Sequence, residues 1–221
     1  MAPPPASGIL VSEIFSAIQG EAAHVGRRQV FVRLAGCNIR CGYCDQPEAL
    51  ELRPGPCRIE QTPGRRDWKH GTSPLTAEDV ARAVDRLWRA VPHHSVSVTG
   101  GEPLAQSGRL ADLLALMAPK RVHLETNGTL VAGLRRVIDA VAEVSMDVKL
   151  TSVDGQGVDP GTQRRFLELA ATRDVAVKIV VGPCTDEEEL AAAVLMVADT
   201  APGATVYLQP VTPFGTTDAA P

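Results

Sequence analysis

The chain has 221 residues, with 22 Lys and Arg against 26 Asp and Glu, a net charge of −4 and a pI near 5.7. Hydrophobic residues make up 44% and charged residues 22%, the balance of a globular domain large enough to bury a core without covalent staples. There is no basic block for nucleic acid, no apolar run of membrane-spanning length, no signal-peptide pattern in Met1-Ala-Pro-Pro-Pro-Ala-Ser-Gly8 and no paired-cysteine framework, so a reducing cytoplasm is expected.

In chain order, Ile9–Phe15 and Gln29–Leu34 read as strands. Thr76–Val91 is a predicted amphipathic helix, with Thr76 as its N-cap and Pro92 beyond its end. Strands over Ser95–Val98, Arg121–Glu125, Glu143–Leu150, Val175–Val181 and Ala204–Gln209 then alternate with helices. The helices cover Leu110–Met117, Val131–Val141, Thr162–Thr172 and Thr185–Asp199, the last capped by Thr185. Repeated strand–helix units imply a parallel sheet, either doubly wound or barrel-like. The chain is short for a full eight-stranded barrel, so an α/β partial TIM-like barrel is expected over residues 9–210. Residues 1–8 are expected to be a flexible lead and 211–221 a tail. Residues 45–73 break the alternation as an insertion, in which Ala49–Leu52 and Cys57–Glu60 are expected to form a hairpin about Arg53-Pro-Gly-Pro56.

Cys37, Cys41 and Cys44 follow the second strand with the spacing C-x3-C-x2-C. Three close thiolates can converge on one metal centre and leave it a position without a protein ligand. An iron–sulfur site fits this spacing, and so does zinc if Cys57 or His70 supplies a fourth ligand. Thr99-Gly-Gly-Glu-Pro103 ends the next strand. Its glycines Gly100 and Gly101 admit a ligand close to the backbone, and Glu102 offers a carboxylate to an ammonium. Glu125-Thr-Asn-Gly128 ends the strand after that, with Glu125 and Asn127 as candidate contacts. In Ser145-Met-Asp-Val-Lys149, alternation points Ser145, Asp147 and Lys149 to one face, where three polar groups suit a ligand better than an apolar core. Gln209 ends the last strand. All these segments are expected at the C-terminal rim of a parallel sheet, where such folds bind ligands.

The cysteine segment, with Tyr43 in an aromatic slot, and the GGEP segment together resemble the radical S-adenosylmethionine (SAM) superfamily. The resemblance implies a [4Fe-4S] cluster on Cys37, Cys41 and Cys44, with SAM chelating the fourth iron and cleaved to a 5′-deoxyadenosyl radical. It further implies SAM contacts from Tyr43, Thr99, Gly100, Gly101, Glu102, Glu125, Asn127, Ser145, Asp147, Lys149 and Gln209. The opening Glu13-Ile-Phe-Ser-Ala-Ile-Gln-Gly-Glu21, then Gly26 through Cys37, resembles the 7-carboxy-7-deazaguanine synthases of that superfamily. This implies a radical ring contraction of 6-carboxy-5,6,7,8-tetrahydropterin with loss of ammonia, in queuosine and 7-deazapurine biosynthesis. It also implies a flavodoxin-like electron donor, a homodimer, and substrate contacts from Ile18, Gln19, Gly20, Glu21 and Arg33. A carboxylate and an amide suit the pterin edge, and a guanidinium suits a carboxylate, although Arg33 has ion-pairing with a nearby acid as its alternative. Gln46 stands where the family has a Thr associated with Mg2+, which makes it the candidate magnesium ligand. Ala22 and Asp147-Val-Lys149 also depart from the family pattern. The competing readings are a radical SAM activase acting on a partner protein, and a zinc-binding module with no enzymatic role.

Overall fold

The computed structural model describes residues 8–155 and 157–211. The expected lead and tail therefore lie outside the described residues, apart from Gly8 and Val211. Among the described residues, nine strands form one open sheet: β1 (Val11–Ile18), β2 (Arg28–Leu34), β3 (Gly55–Glu60), β4 (Trp68–Ser73), β5 (Ser95–Gly100), β6 (Val122–Thr126), β7 (Glu143–Val148), β8 (Asp174–Val181) and β9 (Thr205–Pro210). Their order is β4-β3-β1-β2-β5-β6-β7-β8-β9. From β2 to β9 every pairing is parallel and in chain order, while β1–β2 and β3–β4 are antiparallel.

Helices α1 (Ala77–Ala90), α2 (Ser107–Met117), α3 (Val131–Val137), α5 (Pro160–Ala170) and α6 (Glu187–Thr200) pack each against the next as a single row, with the short α4 (Thr151–Asp154) after β7. A strand order without a reversal from β2 to β9 and a single helix row exclude the doubly wound alternative. Alternation explains the layering. Val30, Val32, Val96, Val98, Leu124, Val144, Met146, Val177 and Ile179 are buried in the core that includes the helices. The intervening residues are largely polar: Gln29, Arg33, Ser97, Thr99, His123, Glu125, Ser145, Asp147 and Lys178. A parallel sheet covered by helices on both faces would be apolar throughout, so this second face is a polar chamber.

The sheet is strongly curled. Lys178 of β8 and Gln209 of β9 both reach Glu21, which follows β1. In a flat sheet β1 and β8 would stand about 24 Å apart, five spacings of about 4.8 Å. The three residues from Ile18 to Glu21 span at most about 10 Å. Curling brings the two halves face to face, and the β1–β2 loop closes the end where the parallel strands begin.

Several expectations are corrected. The hairpin in the insertion pairs β3 with β4, not Ala49–Leu52 with Cys57–Glu60. Its turn is made where Asp67 Oδ1 accepts from the amides of Gln61 and Thr62, while Pro47–Ala49 is one 3-10 turn. Thr185 does not cap α6, because its hydroxyl accepts from Gly182 N; Asp186 caps instead, accepting from Glu189 N. Asp159 and Pro160 start α5 two residues early. The helix expected over Val131–Val141 ends at Val137 and tightens to a 3-10 turn over Ile138–Ala140. Thr76 caps α1 as expected, accepting from Asp79 N at 3.1 Å. No helix among the described residues is long and apolar enough to cross a membrane.

Candidate active site

The cysteine loop leaves β2 and folds over the end of β5. Gly36 N donates to Ala49 O at 2.7 Å and Cys37 N to Leu50 O at 2.9 Å, so the start of the insertion brackets the loop. Gly101 N donates to Leu34 O and Glu102 N to Gly36 O at 2.7 Å, fastening the GGE turn to the same loop. A Cβ on Gly101 would lie 2.4 Å from Gly36 O, and one on Gly100, whose φ is +133°, would lie 2.0 Å from Leu34 O. Both glycines are therefore required by the backbone contact between the loops.

Cys37, Cys41 and Cys44 together line a cavity of about 450 Å3 at the strand ends. Burial pushes the Cys37 thiol up, and it pushes Cys41 up too, although Lys149 nearby opposes this. Three thiols on one loop at a cavity mouth fit three ligands of a four-iron cluster, whose iron would displace their protons. The zinc alternative needs Cys57 or His70. Cys57 is instead buried in β3, His70 is exposed on β4, and neither lines the cavity.

Behind the cysteines, Asn127 Nδ2 donates to Asn38 Oδ1 at 2.9 Å and lies 3.8 Å from Cys37 Sγ. Lys149 Nζ donates to Asp147 Oδ2 at 2.8 Å and Tyr43 OH at 3.2 Å. Burial raises the Tyr43 hydroxyl to about 12, so it stays a neutral phenol. Burial works against the charges of Asp147, Lys149 and Lys178, but their mutual attraction wins. Asp147 is held below the usual carboxylate range and both lysines above their usual value.

Glu102 departs from expectation. It is fully buried, and its carboxylate accepts from Asn127 N at 2.7 Å, Thr126 Oγ1 at 2.8 Å and Leu104 N at 3.0 Å. Burial raises it to about 7. It ties the end of β5 to the end of β6 and does not line the cavity, which Thr99, Gly100 and Gly101 do.

The far side of the cavity is built from the β1–β2 loop. Gln19 is buried; its Nε2 donates to Glu125 Oε1 at 2.9 Å and Gln29 Oε1 at 3.1 Å, and its Oε1 accepts from the amides of Gly20 and Glu21. Glu125 also accepts from Ser97 and Thr99, and burial raises its carboxyl. Glu21 is opposed by burial but held low by Lys178, with Gln209 Nε2 at 3.1 Å from its other oxygen. Ser145 Oγ lies 2.7 Å from His123 Nε2, and burial depresses that imidazole to about 3. Arg33 lines the cavity and pairs with Glu13 at 3.2 Å, so the ion pair expected as its alternative is present. Gln46 lines the cavity mouth, its Nε2 3.4 Å from Asp45 Oδ2. Ile18 is 54% exposed, and neither Ile18 nor Gly20 lines this cavity.

Lys178 is the residue that sequence reasoning passed over. It pairs with Asp147 in register across β7 and β8, and a lone charge inside Val-Ala-Val-Lys-Ile-Val-Val on the Asp147 face was the available signal.

The profile of the Radical SAM superfamily matches residues 32–190. The 7-carboxy-7-deazaguanine synthase of Geobacter sulfurreducens is 42% identical over 213 residues, covering 95% of this chain and 84% of that enzyme. The enzyme of that name from Methanopyrus kandleri is 37% identical over 94% of this chain and 83% of its own length. Among solved structures, QueE from Escherichia coli aligns with a TM-score of 0.50 at 18% identity, over 91% of this chain and 94% of that one. Streptococcus suis SuiB bound to S-adenosylmethionine aligns at 0.55 and 16% identity, over 81% of this chain and 39% of that one. These two share the fold. On the sequence matches, the chain belongs to the radical SAM superfamily and, within it, to the 7-carboxy-7-deazaguanine synthases.

Proposed function

We propose that this chain converts 6-carboxy-5,6,7,8-tetrahydropterin to 7-carboxy-7-deazaguanine with loss of ammonia, as a step of queuosine and 7-deazapurine biosynthesis. The observation that carries the reading is the cavity itself. Three cysteines stand at its mouth, and Gln19, Glu21 and Arg33 stand on its walls. Its volume of about 450 Å3 suits a small ligand.

Cys37, Cys41 and Cys44 hold the [4Fe-4S] cluster in this reading. Thr99, Gly100 and Gly101 present the end of β5 to the SAM amino group. Asn127, Tyr43, Asp147 and Lys149 bound the space beside it, with Glu102 holding β5 and β6 together. When bound and reduced, the cluster and SAM would supply the radical chemistry that removes a hydrogen atom from the substrate. The chain's own residues then serve to orient. Glu21 pairs with the pterin N–H edge, Gln19 offers both a donor and an acceptor, and Arg33 grips the substrate carboxylate. Close positioning and exclusion of other hydrogen donors are what the curled wall contributes.

The reading extends to the finer expectations. The open, singly wound, curled sheet is a partial TIM-like barrel formed by residues 9–210. Gln46 supplies an amide oxygen to a magnesium ion at the cavity mouth. A flavodoxin-like protein delivers the electron, two copies of the chain form a homodimer, and the enzyme works in the cytoplasm.

The test is anaerobic incubation of the reconstituted protein with SAM, a low-potential reductant and the tetrahydropterin, read by mass spectrometry. The expected products are 7-carboxy-7-deazaguanine and 5′-deoxyadenosine, with the former lost in Glu21→Ala. 5′-Deoxyadenosine without the deazaguanine would overturn the substrate.

A further inference from the structure

We propose a second metal site, for a divalent transition ion such as zinc, formed by His24, His94 and Glu143 at the end of the sheet opposite the cysteines. His24 closes the 3-10 turn of the β1–β2 loop, His94 immediately precedes β5, and Glu143 opens β7. One ligand atom from each lies within 4.8 Å of the others.

The donors are arranged as coordination requires. Glu143 is buried and uses one oxygen, Oε1, to accept from Arg121 Nε at 2.5 Å. Its other oxygen, Oε2, is buried and faces His24 Nε2 at 2.6 Å. An imidazole nitrogen and a carboxylate oxygen held face to face can be bridged by a cation, which takes the place of the proton that otherwise lies between them. Binding parts the two atoms to about 3.3 Å, the edge of a tetrahedron with metal–ligand bonds of about 2.0–2.1 Å. Ser95 Oγ, 3.1 Å from His94 Nδ1, and Arg121 on Glu143 orient the ligands from behind, as outer partners do in metal sites. Arg121 is also the competing charge, and it is shared between Glu143 and Asp174 at 3.3 Å.

His123 is a wall and not a ligand. It meets His24 edge-on at 4.7 Å, with its nitrogens already at Ser145 Oγ (2.7 Å) and Gln29 Nε2 (3.3 Å). A separate cavity of about 140 Å3, lined by His24, His123 and Glu143, has room for a water as the fourth ligand. Two imidazoles and one carboxylate select an ion of the zinc or ferrous class over magnesium or calcium, which prefer oxygen ligands. The ion would fasten to β5 and β7 the loop that carries Gln19 and Glu21. That consequence rests on the function proposed above, whereas the site itself does not.

The experiment uses cluster-reconstituted holoprotein given zinc alone, then desalted, with zinc and iron counted by mass spectrometry. Crystals are then mapped by anomalous scattering at the zinc edge. One zinc per chain beside the cluster iron is expected, with its peak between His24, His94 and Glu143. His94→Gln and Glu143→Gln should each cut retained zinc about tenfold or more with iron content unchanged. Wild-type protein that retains no zinc, variants that retain it equally, or a peak confined to the cysteine loop would overturn the site. Should the variants also lose iron through misfolding, the wild-type zinc peak decides alone. Zinc held without pterin turnover would sink only the proposed function, and turnover without zinc only this site.

Discussion

Lys178 Nζ lies 2.6 Å from Glu21 Oε2 although 157 residues separate the two in sequence. This contact, with Lys178 also 3.3 Å from Asp147, joins the β1–β2 loop to β8 across the curled sheet. Lys178→Met removes the cation while leaving Asp147 and Glu21 facing each other. The expected result is a loss of about 2–3 kcal/mol in urea denaturation, since one partner of a partly buried pair is left alone. KM for the pterin should rise about tenfold as Glu21 loses its position. A variant with unchanged KM would show that Lys178 does not set Glu21.

His123 sets a pH dependence. Its folded-state pKa is about 3 against an ordinary value near 6.5, with burial the largest cause and the neighbouring His24 the next. A depressed pKa means that the unfolded chain takes up the proton first as pH falls. The stabilisation is therefore complete above about 6.5 and is lost as pH drops toward 3. Between pH 7 and 5 the wild-type protein should lose about 2 kcal/mol from this group. His123→Asn should flatten that slope in denaturation midpoints measured across the range, and an unchanged slope would assign it to other groups.

Gly100→Ala should fail structurally. The added Cβ would lie 2.0 Å from Leu34 O at a φ of +133°, where backbone meets backbone and neither can yield. A loss above about 3 kcal/mol or no soluble protein is expected. Gly203→Ala, where nothing lies within 4 Å, is the control and should keep its urea midpoint.

Gln46 tests magnesium. It stands at the cavity mouth beside Asp45, and a Thr hydroxyl reaches a cation differently from a Gln amide. Gln46→Thr should raise the stimulation of pterin turnover by Mg2+ by about threefold or more over wild type. Equal responses in both proteins would place the ion elsewhere or remove it from the reaction.

The chemistry-bearing segments were legible in the chain because they are local. The C-x3-C-x2-C spacing, the two glycines of Thr99-Gly-Gly-Glu-Pro103 and the alternation of Ser145, Asp147 and Lys149 each act over a few residues, so spacing alone reports them. Strand–helix alternation reports the parallel sheet for the same reason. Segment ends were less legible. Thr185 and Asp186 are both competent caps, and only the Thr185 bond to Gly182 decides between them.

The curl of the sheet could not be read in this way. It depends on how side chains from distant strands pack, and it decides which polar residues share a space. It brings Glu21 to Lys178 and Gln209, and it places Gln19 and Glu21 on the wall opposite the cysteines, although the loop enters from the other end. Glu102 is turned inward by the neighbouring strand end, binding the Asn127 and Leu104 amides while its neighbouring glycines face the cavity. The sequence by itself determined the local chemistry, because hydrogen-bonding type, charge and alternation belong to each segment. Only the tertiary structure decided which groups meet, because contacts across seven strands depend on the curvature of the whole sheet and not on any one of them.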